Sequence, residues 1–527
     1  MGILLVVLLA LALLPATAMG ADPPPGASIS DSLEYVTRVP GSGRIVEGKF
    51  DRVRGRNVLV TTGRFGFKTY DVSDPTNPRL LDTFQPPEIL GEFGYWQDED
   101  MDLDTRRNLI IGALDPRHDN VDQASCPGIG TAAAKTRNPL CRSGFYVISY
   151  DDPADLAQVG DFVELPAGHT ASCIQDCRYI WTGGPARRDD LPSLYPGVFT
   201  AFTPGGRGDG RPIWVTDLRN PRKPKVFDRP IDLFRNDGAT DYSHDVQVDG
   251  NGIAWVSGRG GITGYATEGR HRDPYTDEVR MAHPWDPILV AGGGVGGANQ
   301  PQTDFMHNSV RPVDGSVRAS GVENGNVLIG TEEDFTTPCD QSGRVVLSDI
   351  TDSLGGEPAA NSTPENPYRM TALDTFHPAQ DAGEPIDPTQ GCSAHYFELS
   401  GSMLGVAWYG QGLRLLDVSN ARDVRQVGFY RVTGTDPATN PTSNSWDLAW
   451  NGRYVYLFDM NRGIEIMRLK GGTAARAVRR LRSVSAPAAR RDRFASVPTS
   501  GLEPGTFICP AFAASKAARR VLAAQRG

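Results

Sequence analysis

Several common signatures are missing from this 527-residue chain. There is no Gly-x-Ser-x-Gly and no His-Glu-x-x-His, which removes the nucleophile elbow of α/β-hydrolases and the metal helix of the zincins. The one glycine-rich stretch, "GGGVGGANQ" (Gly292 to Gln300), follows no strand-helix-strand pattern, so it does not form a phosphate-binding loop. Past the N-terminal leader, no apolar run approaches the roughly 20 residues of a spanning helix. Long helical periodicity is absent until the C-terminus. Positive charge is also in deficit: 53 Lys and Arg against 63 Asp and Glu give a net charge of −10. The body would repel phosphate backbones, which excludes nucleic acid as its partner.

What the chain has in quantity is Gly (59) and Pro (40), the punctuation of many short strands joined by turns. It opens "MGILLVVLLALALLPATAMGADPPPG", an apolar run with a small-residue site at Ala16-x-Ala18. This predicts a secretory signal peptide over residues 1–21 and a secreted or extracytoplasmic product. The leader lacks Lys and Arg, which keeps an uncleaved anchor as the alternative. In an exported chain the seven cysteines point to disulfides. Spacing proposes Cys126 with Cys141, Cys173 with Cys177 across a tight hairpin, and Cys339 with Cys392, leaving Cys509 over. Connectivity stays open at this stage. The Cys-x3-Cys at 173 and 177 has no second pair, so zinc is disfavoured there.

A layout of strand, turn and strand recurs through the chain. "FDRVRGRNVLVTTGRFGFKTYDVSDPTNPRLLDTF" (Phe50 to Phe84) shows four strands, with Asp-Pro-Thr-Asn-Pro supplying a turn that cannot continue a sheet. The grammar returns in "GFYVISYDDPADLAQVGDF", "IWVTDLRNPRKPKVFDRPI", "RVVLSDITDS" and "GLRLLDVSNARDVRQVGFY". First strands begin near Phe50, Glu99, His169, His244, His307, His395 and Trp446, which predicts an all-β, seven-bladed β-propeller over residues 45–470. The last unit stops after three strands. The segment from Leu33 to Val39, within residues 22–44, is expected to close it. Residues 471–527 form an Ala/Arg-rich tail with 11 Lys and Arg against 2 Asp and Glu. That tail is expected to be partly disordered or helical, and it offers contact with an anionic envelope or polymer.

The phrases "YDVSDPTNPRLLDTF" and "LLDVSNARDVRQVGFY" resemble the LVIVD-repeat family of bacterial secreted β-propellers. The likeness spans about residues 45–470 and is strongest in the first and sixth units. It implies the fold and no particular reaction.

Aligned on the turns, Phe50, Glu99, His169, His244, His307, His395 and Trp446 share one repeat position. Innermost strands of a propeller begin around its central channel. Four consecutive units therefore offer His169, His244, His307 and His395 to one channel mouth, where imidazoles suit iron, copper or zinc. The donor set resembles the four-histidine iron centre of carotenoid-oxygenase propellers, without that family's wider sequence pattern. Glu99 is the candidate acid/base; Glu323, Glu332, Glu333 and Glu99 itself are candidate acceptors behind the ligands. Asp51, Asp100, Asp245 and Asp447 follow the repeat position. By strand alternation they should face away from the channel, as inter-blade hydrogen-bond acceptors. His118, His271, His283 and His377 fall in outer loops. The expected function is a binding or scaffold platform, for an unknown protein or small molecule, with a histidine-lined channel that holds a metal ion. The alternative is an extracytoplasmic metal-dependent oxidase or oxygenase.

Overall fold

The structure is a computed structural model and describes residues 21–86, 99–114, 143–165, 167–183, 213–228, 230–231, 242–259, 261–274, 276–292, 306–333, 343–354, 370–380, 386–387 and 390–471. The apolar leader, Cys126, Cys141, Cys339, Cys509, His118 and the basic tail lie outside these residues.

Among the described residues five antiparallel sheets carry the repeat grammar. The first contains Ile45–Val53, Arg56–Gly63, Gly66–Asp71 and Arg79–Phe84. Another contains Tyr242–Val248, Ile253–Arg259, Gly261–Ala266 and Ile288–Gly292, and the next Met306–Val310, Val327–Glu332, Val345–Asp349 and Thr371–Phe376. Phe397–Ser400, Met403–Trp408, Gly412–Asp417 and Arg425–Val432 follow, with Ala27–Ile29 added at the outer edge. The last has Ser445–Asn451, Tyr454–Asp459 and Gly463–Leu469. A sixth, nine-stranded sheet lies between the first and the Tyr242–Val248 sheet in sequence. Within it, Asp100–Asp104 and Thr170–Ile174 run parallel, pairing Thr170 with Asp100 and Ala171 with Met101. First strands contact the first strands of neighbouring sets around a common centre, which is a β-propeller arrangement.

The turn chemistry explains why the repeats fold locally. In the first unit Asp71 accepts from the Ser73 amide at 3.0 Å and Asp74 from the Thr76 amide at 2.9 Å. Asp217, Asp349 and Asp417 repeat this two-residue reach to Arg219, Thr351 and Ser419. These Asx turns end the third strand and aim the fourth. Apolar cores then form between neighbouring sets: Val58, Val60 and Phe67 pack on Met101, Leu103, Ile110 and Tyr146. Approach is close enough to need glycine, since a Cβ on Gly112 would lie 2.3 Å from the Phe67 ring.

Closure follows the sequence expectation. Leu33–Arg38 pairs antiparallel with Gly463–Leu469, from Leu33 opposite Leu469 to Arg38 opposite Glu465. The fifth strand, Ala27–Ile29 against Tyr430 to Val432, was not anticipated. Cys173 and Cys177 are disulfide-bonded across the turn between Thr170–Ile174 and Tyr179–Gly183. Cys392 is also in a disulfide. Among the described residues no helix is long and apolar enough to cross a membrane.

Candidate metal centre

Innermost strands begin with an irregularity that aims one side chain at the centre. Register shifts fall between Ser243 and Asp245, between Met306 and Asn308, and between Ser445 and Asp447, leaving His244, His307 and Trp446 as the extra residues. The first strand shifts between Ile45 and Glu47. Its equivalent residue is therefore Val46, which clusters with Trp446, Tyr409 and Met460. This corrects the placement of Phe50, which instead packs edge-on against Tyr456 at 5.0 Å. Glu99, His169 and His395 sit just before the strands that begin at Asp100, Thr170 and Phe397.

The structure brings the four expected histidines together. Ring centroids run 6.3 Å from His169 to His244, 4.5 Å from His244 to His307 and 4.1 Å from His307 to His395. Each is at most 1% exposed, so the site is an enclosed centre and not the open channel mouth expected from the repeats. Two carboxylates share it. Glu99 Oε2 lies 3.2 Å from His169 Nε2 and 3.8 Å from His395 Nε2. Glu333 Oε2 lies 3.8 Å from both His244 Nε2 and His307 Nε2. Two groupings, Glu99 with His307 and His395, and His244 with His307 and Glu333, have ligand atoms within 4.8 Å of one another. Neither contains all four imidazoles.

Protonation favours ligation. His395 Nδ1 is 2.6 Å from the Trp446 carbonyl oxygen. A carbonyl only accepts, so Nδ1 carries a hydrogen and Nε2 is the nitrogen turned toward Glu99. Burial, and then His395 nearby, hold His307 well below the usual histidine range, hence neutral. Neither His307 ring nitrogen has a hydrogen-bond partner among the described residues. Burial opposes ionisation of Glu99, but His169 and then His395 outweigh it and hold the carboxyl well below its ordinary range. Tyr409 donates its hydroxyl hydrogen to Glu333 Oε1 at 2.5 Å. Buried imidazole nitrogens and carboxylate oxygens converging at 3.2–3.8 Å form a cradle that a cation satisfies.

Of the other candidate acceptors, Glu332 is engaged by Arg344 at 2.7 Å and Glu323 by Asn326 at 3.4 Å in a turn, so neither serves the centre. Glu333 does. It stands just beyond Val327–Glu332, as Tyr409 and Met460 stand just beyond Met403–Trp408 and Tyr454–Asp459. That second repeat position was the unused signal.

The carboxylates after the first position form a second layer that alternation mispredicts. A bulge sets two residues opposite one at Glu47 and Asp245; Glu47 and Asp100 meet at Lys49, and the buried Asp245 is close enough to Asp100 and Lys49 to feel their charge. Lys49 Nζ is 3.0 Å from Glu47, 2.5 Å from Asp100 and 3.4 Å from Asp102. Burial opposes its charge, but Asp100, Glu47 and Asp102 hold it well above the usual lysine range. Inter-blade acceptance is seen at Asp447, which takes the Gly48 amide at 3.4 Å, and at Asp51, which takes the Tyr150 hydroxyl at 3.0 Å. His271 bonds the Glu268 carbonyl in an exposed hairpin and His283 stacks on Trp285. His377 is buried, 3.3 Å from the Cys392 carbonyl oxygen, in place of the outer-loop position expected for it.

No known sequence family matches the chain, and no curated protein does. Solved structures of similar shape are remote. The β-propeller domain of Myceliophteria thermophila Cps50 (Swd1) is 9% identical, with 83% of this chain and 100% of that one covered and a TM-score of 0.42. A protein from Lactobacillus plantarum is 10% identical over 78% and 89%, TM-score 0.43. The periplasmic gluconolactonase PpgL of Pseudomonas aeruginosa is 14% identical over 78% and 89%, TM-score 0.41.

Proposed function

We propose that this chain is an exported, LVIVD-type seven-bladed β-propeller: a binding platform built around a divalent transition-metal ion at its centre. The observation that carries the metal is the convergence of Glu99, His169, His244, His307, Glu333 and His395, all buried, from consecutive repeat units. Iron, copper and zinc all suit mixed imidazole and carboxylate donors. In this reading Glu99 is a ligand, since a carboxyl held ionised beside two imidazoles is a poor proton donor.

The seven-blade count treats the nine-stranded sheet as two blades joined at Thr170 and Asp100. It is supported by the apolar cores, one of which packs Ile111, Phe145 and Val147 against Ile180 and Trp214 within that sheet, as neighbouring blades pack elsewhere. Export is supported by the leader and by the Cys173–Cys177 disulfide. The partner is a protein or small molecule that meets the platform, not nucleic acid, and the basic tail contacts an anionic envelope or polymer.

A metal-dependent oxidase or oxygenase is the second reading. It is favoured by oxidisable rings around His395: Tyr409 at 4.6 Å, Tyr396 at 4.7 Å and Trp446 at 5.0 Å between centroids. Elemental analysis of protein purified without a histidine tag tests the metal. His244→Ala should lower the bound ion, whereas His271→Ala in the exposed hairpin should leave it unchanged.

A further inference from the structure

We propose that the centre takes two metal ions, each held by two imidazoles and one carboxylate. This rests on the metal-binding reading above and extends it. The two groupings of donor atoms overlap only at His307. One is anchored by Glu99, the other by Glu333. A neutral imidazole has one lone pair, because its other ring nitrogen carries the hydrogen. His307 can therefore serve one ion only.

The distances divide the donors without a shared ligand. Glu333 Oε2 is 3.8 Å from both His244 Nε2 and His307 Nε2, which gives one ion Glu333, His244 and His307. Glu99 Oε2 is 3.2 Å from His169 Nε2 and 3.8 Å from His395 Nε2, which gives the other Glu99, His169 and His395, a wider set whose two imidazoles the ion must draw together, since its donor atoms are not all within 4.8 Å of one another. Bonds of roughly 2.0–2.2 Å to a central ion place two donors about 3–4 Å apart, so each nitrogen is already near its place relative to its carboxylate. Two histidines and one glutamate per ion is a set that binds zinc and leaves a position for water or substrate. Across the two half-sites the ring centroids lie 4.1 Å apart for His307 and His395 and 6.3 Å apart for His169 and His244, so the two ions would be neighbours in one centre.

One ion cannot take the whole set. Among the described residues no grouping within 4.8 Å contains both carboxylates or more than two histidines, and a single ion held by such a grouping would leave three donors of the six uncoordinated. One ligand of each half-site is held from outside: Glu333 by the Tyr409 hydroxyl, and His395 by its Nδ1 bond to the Trp446 carbonyl.

The test is zinc stoichiometry on the full, untagged chain. Protein stripped with chelator is titrated with Zn2+ alone, desalted, and read by native mass spectrometry and elemental analysis. The expected result is two zinc ions per chain, one each in Glu99→Gln and Glu333→Gln, and none in the double variant, with far-ultraviolet dichroism checking the fold. A ratio of one in the wild type overturns the two-ion proposal and leaves the metal-binding reading standing. A ratio of zero overturns both. If either variant fails to fold, the wild-type ratio still decides, and His169→Ala and His244→Ala replace them, each expected to lose one ion.

Discussion

The seam where the N-terminal strand closes the last sheet contains two Arg–Glu pairs in different surroundings. Arg462 donates to both oxygens of Glu465 at 2.8 Å, to the Pro441 carbonyl at 2.7 Å and to Asn440 Oδ1 at 3.0 Å. Its side chain is 1% exposed and that of Glu465 is 0%. Tyr430 adds a hydroxyl bond to Glu465 at 2.9 Å. Arg462→Ala would leave a buried carboxylate with only tyrosine donors. Breaking a buried pair from one side costs about 3–5 kcal/mol. Arg468, which grips Glu34 across the same seam, is 17% exposed and its partner 23%, so Arg468→Ala should cost only about 1 kcal/mol. The assay is urea unfolding followed by tryptophan fluorescence, comparing midpoints at constant slope. If Arg462→Ala loses no more stability than Arg468→Ala, burial is not what gives the first pair its weight.

Other outcomes follow from packing, protonation and oxidation. Gly48→Ala would place a Cβ 2.4 Å from the Phe458 ring and should cost about 1–3 kcal/mol by overpacking, visible as a lower urea midpoint. Burial raises the Glu398 carboxyl to about 7 against the bond it accepts from the Trp450 amide. Its folded form thus binds a proton more tightly than the unfolded chain, so its contribution is present below about pH 4.3 and is lost as pH rises through 7. Glu398→Gln should therefore gain on the wild type between pH 5 and 8, by about 1–2 kcal/mol after solvent screening; a pH-independent difference would reject this. The secreted form should show cleavage near Ala18 to Ala21 by intact mass and at least two intramolecular disulfides by thiol titration. Six or seven free thiols would reject the oxidised state.

The strands and turns were legible because their causes are local. An Asp that bonds the amide two residues on, as Asp71 and Asp417 do, marks a strand end wherever it recurs. The four histidines were legible for the same reason, as one repeat position. Bulges were not, since an extra residue at Val46 or His244 depends on pairing with the next strand. Alignment on the turns therefore chose Phe50, and alternation turned the Asp100 layer outward. Glu333 was visible only as a possible support. Its place opposite Glu99 comes from the ring closing on itself, a relation that no stretch of sequence carries.

The most direct test of the metal centre is crystallographic. Crystals of the untagged protein grown with zinc, measured on both sides of the zinc absorption edge, should give anomalous density within about 2.0–2.1 Å of imidazole nitrogens from this cluster, enclosed by Glu99 and Glu333. Density confined to the surface, at His271 or His283, with none among His169, His244, His307 and His395, would contradict the account.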